Sequence, residues 1–319
     1  PMRWREVTPR SPCPVCGKGS WCSVREDDAV VCCRRVSEGG TANLDRAGVP
    51  YYLHRVRGGD PVRLADALDR WFRFTLPARQ AAAVEVRDAV YRALLEDLPL
   101  VARHREDLHR RGMPGPEVAR RGYRSLPPGG RPWSREDLAR RLAERFGSEV
   151  LAAVPGFVQR ESKRDRHYWT IAGPAGLLIP VRNLEGRIIA LKVRRDGDGD
   201  GPRYVVLSSK RQGGPGPGSP AHVPLEPPGG RDPDRVRLTE GELKADVATA
   251  RDPGRILTVS APGATAWRVA LPILEALRPR TVRLALDADA WTNPNVGRAL
   301  REALAALESR RFIVEVERW

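Results

Sequence analysis

The last third of the chain constrains its fold most. From residue 235 onward, short apolar runs alternate with helical spacing: strand 235–239, helix 242–251, strand 255–260, helix 265–278, strand 281–286, helix 294–308 and strand 311–317. Parallel strands need a crossover to join them, so this alternation predicts a mostly parallel sheet covered by helices on both faces. Two of the strands run into acid: Arg235-Val236-Arg237-Leu238-Thr239 leads to Glu240, and Leu284-Ala285-Leu286 leads to Asp287-Ala288-Asp289. In open α/β sheets, the carboxyl ends of the strands form the ligand crevice. Glu240, Asp287 and Asp289 gathered there would hold Mg²⁺ or Mn²⁺, which prefer oxygen ligands. Residues i and i+2 aim both aspartates together, and such a site is equipped for chemistry on phosphates.

The opposite end of the chain carries a second metal signature. All five cysteines lie between positions 13 and 33: Cys13, Cys16, Cys22, Cys32 and Cys33. Cys13-Pro14-Val15-Cys16-Gly17 has the spacing of a zinc knuckle. Residues 23–31 read as two short strands around a turn at Asp27-Asp28, which brings the later cysteines back beside the knuckle. Four thiolates then hold a structural, tetrahedral Zn²⁺, and a segment this small needs that staple to fold. An odd cysteine count without a secretion signal argues against a disulfide framework. Cys32 and Cys33 alternate faces, so only one points inward. Cys32 is the expected fourth ligand beside Cys13, Cys16 and Cys22, with Cys33 the alternative. Trp21, beside Arg25, Arg34 and Arg35, either stacks on single-stranded nucleic acid or forms the ribbon's core.

Between these ends the period changes twice. Residues 41–63 read as a linker. Residues 64–112 have helical spacing (Leu64, Leu68, Trp71, Phe72, then Val84, Val86, Val90, Leu94, Leu95). Further helical segments cover 116–121 and 134–146, the second opening on Ser134 followed by acids. From about 156 the pattern is β, with the strands Gly176–Val181, Arg187–Val193 and Arg203–Leu207 forming a meander. Asp196–Gly201 is read as a hairpin turn and not a Ca²⁺ loop, because no glutamate closes it. Residues 211–234, rich in Gly and Pro, read as a flexible boundary.

Charge points to the partner. The formal net charge is +15, and of the 55 basic residues only five are lysine. Arginine binds phosphate through a fixed two-pronged geometry, so a nucleic acid is the implied partner. No apolar run of eighteen residues spans a membrane. The start Pro1-Met2-Arg3-Trp4 holds no signal-peptide core, and a cytoplasmic protein is expected.

A cysteine ribbon, a helical and β core, and an acidic α/β unit together resemble the DNA primases of bacteria, phages and plasmids. The resemblance covers most of the chain. Leu108-His109-Arg110-Arg111-Gly112-Met113 with Glu117 and Gly122-Tyr123 is similar to a helical element of the primase polymerase core. Gly176–Arg182 with Gly186–Leu191 is similar to its paired strands. Glu240-Gly241, Asp287-x-Asp289 and Pro262-Gly263-Ala264 match the Toprim unit that such primases share with type IA and type II topoisomerases. The implied fold is α+β and multidomain: a zinc ribbon (1–55), a primase core subdomain (64–210), a linker (211–234) and a Toprim-like domain (235–319) ending at a Toprim strand, as in a fragment of a larger protein. A mobile-element relative is implied, because the ribbon is all-cysteine.

The implied activity is template-directed synthesis of RNA primers on single-stranded DNA from ribonucleoside triphosphates. Catalytic Mg²⁺ or Mn²⁺ would sit at Glu240, Asp287 and Asp289, and a replicative helicase, or a helicase domain of the full-length chain, is the implied partner. Arg194 and Arg203 fall where the family lines its template and nucleotide path. Lys192, on the same strand face as Arg194, and Lys210 extend that basic groove. Chromosomal primases carry another acid four residues after the Toprim glutamate. Here Lys244 stands there, leaving Glu242 or Asp246 to substitute, or Lys244 itself to meet the triphosphate. Two other readings are a Toprim nuclease or topoisomerase relative using the same acids to cleave DNA, and a non-catalytic DNA-binding module. The histidines show no ligand spacing and are expected in core or surface roles.

Overall fold

In this computed structural model the described residues are 4–26, 29–38, 40–44, 50–55, 80–128, 135–161, 167–197, 202–286 and 294–317. The chain divides into two units, Pro1–Pro77 and Ala78–Trp319. In the first, β1 (Trp4–Glu6), β2 (Ser23–Arg25), β3 (Val30–Cys33), β4 (Thr41–Leu44) and β5 (Pro50–Arg55) form one sheet of order β1-β2-β3-β5-β4. The linker expected over 41–63 is therefore corrected for its first part. Residues 41–44 and 50–55 are strands, and Tyr51 and His54 are buried there. A module this small can cover its metal knuckle only by adding strands, which Pro and Arg in the sequence disguise as linker. Residues 56–63, and the helical positions Leu64, Leu68, Trp71 and Phe72, lie outside the described residues.

The second unit is built on two sheets. The first has order β11-β10-β9-β6: β6 (Arg124–Leu126), β9 (Gly176–Arg182), β10 (Ile188–Arg195) and β11 (Tyr204–Val206). The expected meander of the last three is present as β9-β10-β11, antiparallel throughout. Strand β9 is buried along its whole length because both faces are covered. Leu178 faces a core with α1 (Val84–Glu96), α4 (Arg135–Phe146) and the hairpin β7 (Phe157–Glu161)–β8 (His167–Ile171). Leu177 and Ile179 face α2 (Ala102–Arg110) and α3 (Gly115–Arg121). Pro180 fits inside β9 because the β6 partner ends at Gly176–Leu178, so no ladder hydrogen bond is forfeited on that edge. A short helix α5 (Ser148–Ala152) precedes β7.

The second sheet has order β13-β12-β14-β15, wholly parallel: β12 (Arg235–Glu240), β13 (Leu257–Ala261), β14 (Thr281–Ala285) and β15 (Ile313–Val316). Helix α6 (Glu242–Arg251) joins the first two strands. Helix α7 (Leu271–Leu277) joins β13 to β14, and α8 (Pro294–Glu308) joins β14 to β15. The single helix expected over 265–278 is instead a 3₁₀ stretch, Ala264–Ala270, followed by α7. Pro272 has no N–H and would clash with the carbonyl four residues back, so one continuous α-helix cannot run through it. Val236, Leu238, Leu257, Val259, Val282 and Leu284 point into a core with Trp267, Leu274 and α8. Helix α6 turns Leu243 toward Leu108, Met113, Tyr123, Leu177 and Ile179. It is the seam between the two sheets.

The stretch 211–234 is irregular yet packed. Ala221 and Val223 are buried against the parallel sheet, and His222 bridges to Ser260. Among the described residues, no helix is long and apolar enough to cross a membrane.

Candidate functional site

The amino-terminal cluster gathers the sulfurs of Cys13, Cys16, Cys22 and Cys33, all within 4.8 Å of one another. Tetrahedral zinc at a Zn–S length of about 2.3 Å requires sulfurs about 3.8 Å apart. Here Cys16–Cys22 is 3.7 Å and Cys22–Cys33 is 3.9 Å. The donor set fits structural zinc. Cys33, and not the expected Cys32, is the fourth member. The β2–β3 register pairs Ser23 with Cys32 and Val24 with Val31, which sets Cys22 across from Cys33 on the inner face and turns Cys32 outward. Burial pushes the Cys13 thiol up and the Cys22 thiol up to about 12. Against burial, neighbouring hydrogen bonds hold the Cys16 thiol down at about 7, and a bound cation would favour the thiolate form of all four. The knuckle closes through Gly17 N–H to Cys13 O (2.8 Å) and Cys13 N–H to Lys18 O (2.9 Å).

The acidic end is set by topology. Connections leave β12 for β13 on one side and reach β14 on the other, so the chain switches direction between the carboxyl ends of β12 and β14, the place where such sheets bind ligands. Thr239 pairs with Ala285, so Glu240 and Leu286 leave the sheet side by side. Glu240 is half-buried, and its Oε2 accepts the Ala264 N–H at 3.0 Å. Asp287 and Asp289 lie outside the described residues.

Two neighbouring acids are spoken for. Glu242 is buried and receives both contacts of the Lys192 Nζ, at 2.6 and 2.7 Å. Asp246 is buried against the Arg121 guanidinium, accepts the Tyr123 hydroxyl at 2.5 Å and lies 3.3 Å from His222 Nε2. Burial alone would push Asp246 up, but His222 and Arg121 hold it well below the usual carboxylate range. Burial and the Asp246 charge push the Tyr123 phenol up. Glu242 and Asp246, the two acids expected as substitutes, are thus each engaged in a buried ion pair.

The expected basic residues divide into two groups. Lys192 is consumed by Glu242, and Arg194 pairs with Asp107 at 2.6 Å, so both hold the first sheet to its surroundings. Burial would raise the Asp107 carboxyl, but Arg111, Arg110 and Arg194 around it hold it below its ordinary value. Arg203, Lys210 and Lys244 are exposed. Lys244 lines a cleft of about 620 Å³ with Arg111, Tyr204, Leu243, Val247 and Arg251. Of these, Arg111 and Tyr204 stand in the stretches Leu108–Met113 and Pro202–Tyr204 whose resemblance points to the core, whereas Arg251 belongs to no motif, although one signal was present. Gly112 has φ +86, and a Cβ there would lie 2.4 Å from Arg251 Nη1, so this glycine lets Arg251 close on the end of α2.

No protein-family profile matches the sequence, and no curated protein matches it. Solved structures do. The zinc-binding and RNA polymerase domains of the Aquifex aeolicus primase align over 97% of this chain and 72% of theirs, at 15% identity and TM-score 0.56. The RNA polymerase domain of Mycobacterium tuberculosis primase DnaG aligns over 74% of this chain and 76% of its own, at 15% identity and TM-score 0.50. At such identity the likeness is one of fold. The chain is α+β, with an amino-terminal cysteine cluster, a primase-like core and a carboxyl-terminal four-stranded parallel sheet consistent with a Toprim domain.

Proposed function

We propose that the chain is a DNA primase that joins ribonucleotides on a single-stranded DNA template by metal-dependent nucleotidyl transfer. The observation that carries this reading is the place of Glu240. It stands at the switch point of a parallel sheet, beside the strand whose sequence continues into Asp287-x-Asp289, in a primase-like fold. A carboxylate set of this kind suits Mg²⁺ or Mn²⁺. Bound there, the cation would lower the pKa of the attacking 3′-hydroxyl and neutralise charge on the leaving pyrophosphate.

The protein's own part is positioning and charge. Exposed Arg203 and Lys210 offer guanidinium and ammonium groups to the template backbone. Lys244, Arg111 and Arg251 line a cleft with room for phosphates, and Tyr204 gives it an aromatic wall. Lys192 and Arg194 act indirectly, by fixing α6 and α2 to β10. The cysteine ribbon presents single-stranded template.

The test is synthesis on a single-stranded template with ribonucleoside triphosphates and Mg²⁺. The wild-type chain should yield short RNA. Glu240→Gln and Asp287→Asn should yield none while binding the template within about twofold. Nicking of plasmid DNA without nucleotides would replace this reading with a Toprim nuclease, and template binding with neither activity would leave a binding module.

A further inference from the structure

Trp21 is the most exposed large apolar side chain among the described residues, at 76%. The module's core forms without it, from Val7, Val24 and Val31 around the cysteines. Its backbone is also unusual. Trp21 has φ +66, a left-handed conformation that a bulky residue rarely adopts. Such outliers persist only where the surroundings enforce them, and they gather at functional sites.

The enforcement here is visible. The Arg35 guanidinium donates to Ser20 O at 2.6 Å and to Ser20 Oγ at 3.2 Å, and lies 3.6 Å from Cys22 Sγ. On the other side Cys22 joins the four-sulfur cluster, and its carbonyl accepts the Val7 N–H at 3.1 Å. The residues on both sides of Trp21 are thus pinned, and the indole between them is turned to solvent. A third contact adds charge. The Gly19 backbone packs so tightly on Thr8 and Pro9 that a Cβ would sit 2.5 Å from Pro9 N. That contact sets the segment ending in exposed Arg10 against the one that carries exposed Lys18 and leads into Trp21.

We propose that Trp21 is a stacking platform for one unpaired base of single-stranded DNA, with Lys18 and Arg10 meeting the flanking phosphates. An indole face accepts any base, and its stacking energy does not depend on salt, whereas the phosphate contacts do. The Arg35 clamp and the metal knuckle make the platform rigid, so little freedom is lost on binding. The inference rests on the reading that the chain acts on single-stranded DNA and needs no polymerase activity.

The test uses the full chain with zinc and a fluorescent oligothymidylate, followed by anisotropy across a salt series. Trp21→Ala should weaken binding about 5- to 150-fold, the span of one base–aromatic stack, with the salt slope and zinc content unchanged. Trp21→Phe should retain most of the affinity. Lys18→Ala should flatten the salt slope. Binding to a blunt duplex, whose bases are already stacked, should be indifferent to Trp21. The proposal is overturned if Trp21→Ala binds within twofold of wild type, if Trp21→Phe loses as much as alanine, or if the wild-type chain does not bind the oligomer. A chain that binds through Trp21 yet makes no primers overturns the primase reading alone.

Discussion

Lys192 was expected to grip template, but the structure gives it a different task that a single substitution can expose. Its ammonium sits 2.6 and 2.7 Å from the two oxygens of Glu242, and the two side chains are 9% and 4% exposed. Lys192→Met keeps the aliphatic stem and removes only the charge. Glu242 is then left buried and uncompensated, which costs about 3–5 kcal/mol. For a unit the size of Ala78–Trp319, each kcal/mol moves the melting temperature by about 2–4 °C. Calorimetry on the full chain should therefore show a drop of about 6–20 °C in the transition of that unit. Glu242→Gln added to Lys192→Met should restore most of the loss, because a buried pair exchanged for neutral groups of similar volume is close to neutral. The salt slope of DNA binding should not change, since this ammonium is already neutralised. If Lys192→Met melts within about 1 °C of wild type and binds DNA with a flatter salt slope, the lysine is a phosphate contact and the pairing argued above is wrong.

Cys33→Ser should lower zinc content measured against a chelator by weakening the site at least about 100-fold, since four thiolates share a binding energy of about 10–16 kcal/mol, while Cys32→Ser should retain one zinc per chain; the reverse result would restore Cys32 as the ligand. Asp246→Asn should cost about 1–3 kcal/mol at neutral pH, because buried Arg121 keeps Glu117 at 3.1 Å but loses its other carboxylate partner. Because the folded pKa of Asp246 is depressed, its stabilisation is complete above the unfolded value near 4 and is lost as pH falls through the folded one. Acid melts should therefore steepen below about pH 4 in wild type and less in Asp246→Asn. Gly112→Ala should destabilise by about 1–2 kcal/mol, because the position is left-handed, and it should displace Arg251 from the cleft, read as weaker DNA binding at constant zinc.

Period and punctuation made the parallel sheet legible. Every strand and helix from 235 to 317 lies within two residues of its expected bounds except the 3₁₀ stretch at Ala264–Ala270, where Pro272 breaks an otherwise helical pattern. The fourth sulfur was also legible in principle. A two-residue turn at Asp27-Asp28 pairs residues whose numbers sum to a constant, and that register sets Cys22 opposite Cys33. The same register sets Cys32 opposite Ser23, away from the other sulfurs. Strands β4 and β5 were hidden because a strand inside a small metal module need not alternate cleanly, and Tyr51-Tyr52-Leu53 reads as well for a loop.

What the sequence could not disclose is which charges cancel. Glu242 and Asp246 follow Glu240 closely and look like spare metal ligands, and Lys192 and Arg194 look like a groove. Their true partners lie 50, 125 and 87 residues away in the chain: Lys192 for Glu242, Arg121 for Asp246, and Asp107 for Arg194. No local pattern reports such distances. The consequence bears on function. Among the described residues, Arg203, Lys210 and Lys244 are exposed, and Lys244 lines the cleft with Arg111 and Arg251. A chain with a large positive excess thus spends part of it inside, fastening α6 to β10 and α3. On the proposed reading, phosphate at Glu240 would be met by residues outside the strand face where the sequence pointed, and substitutions at Lys192 and Arg194 should register as stability while those at Arg203, Lys210 and Lys244 register as affinity.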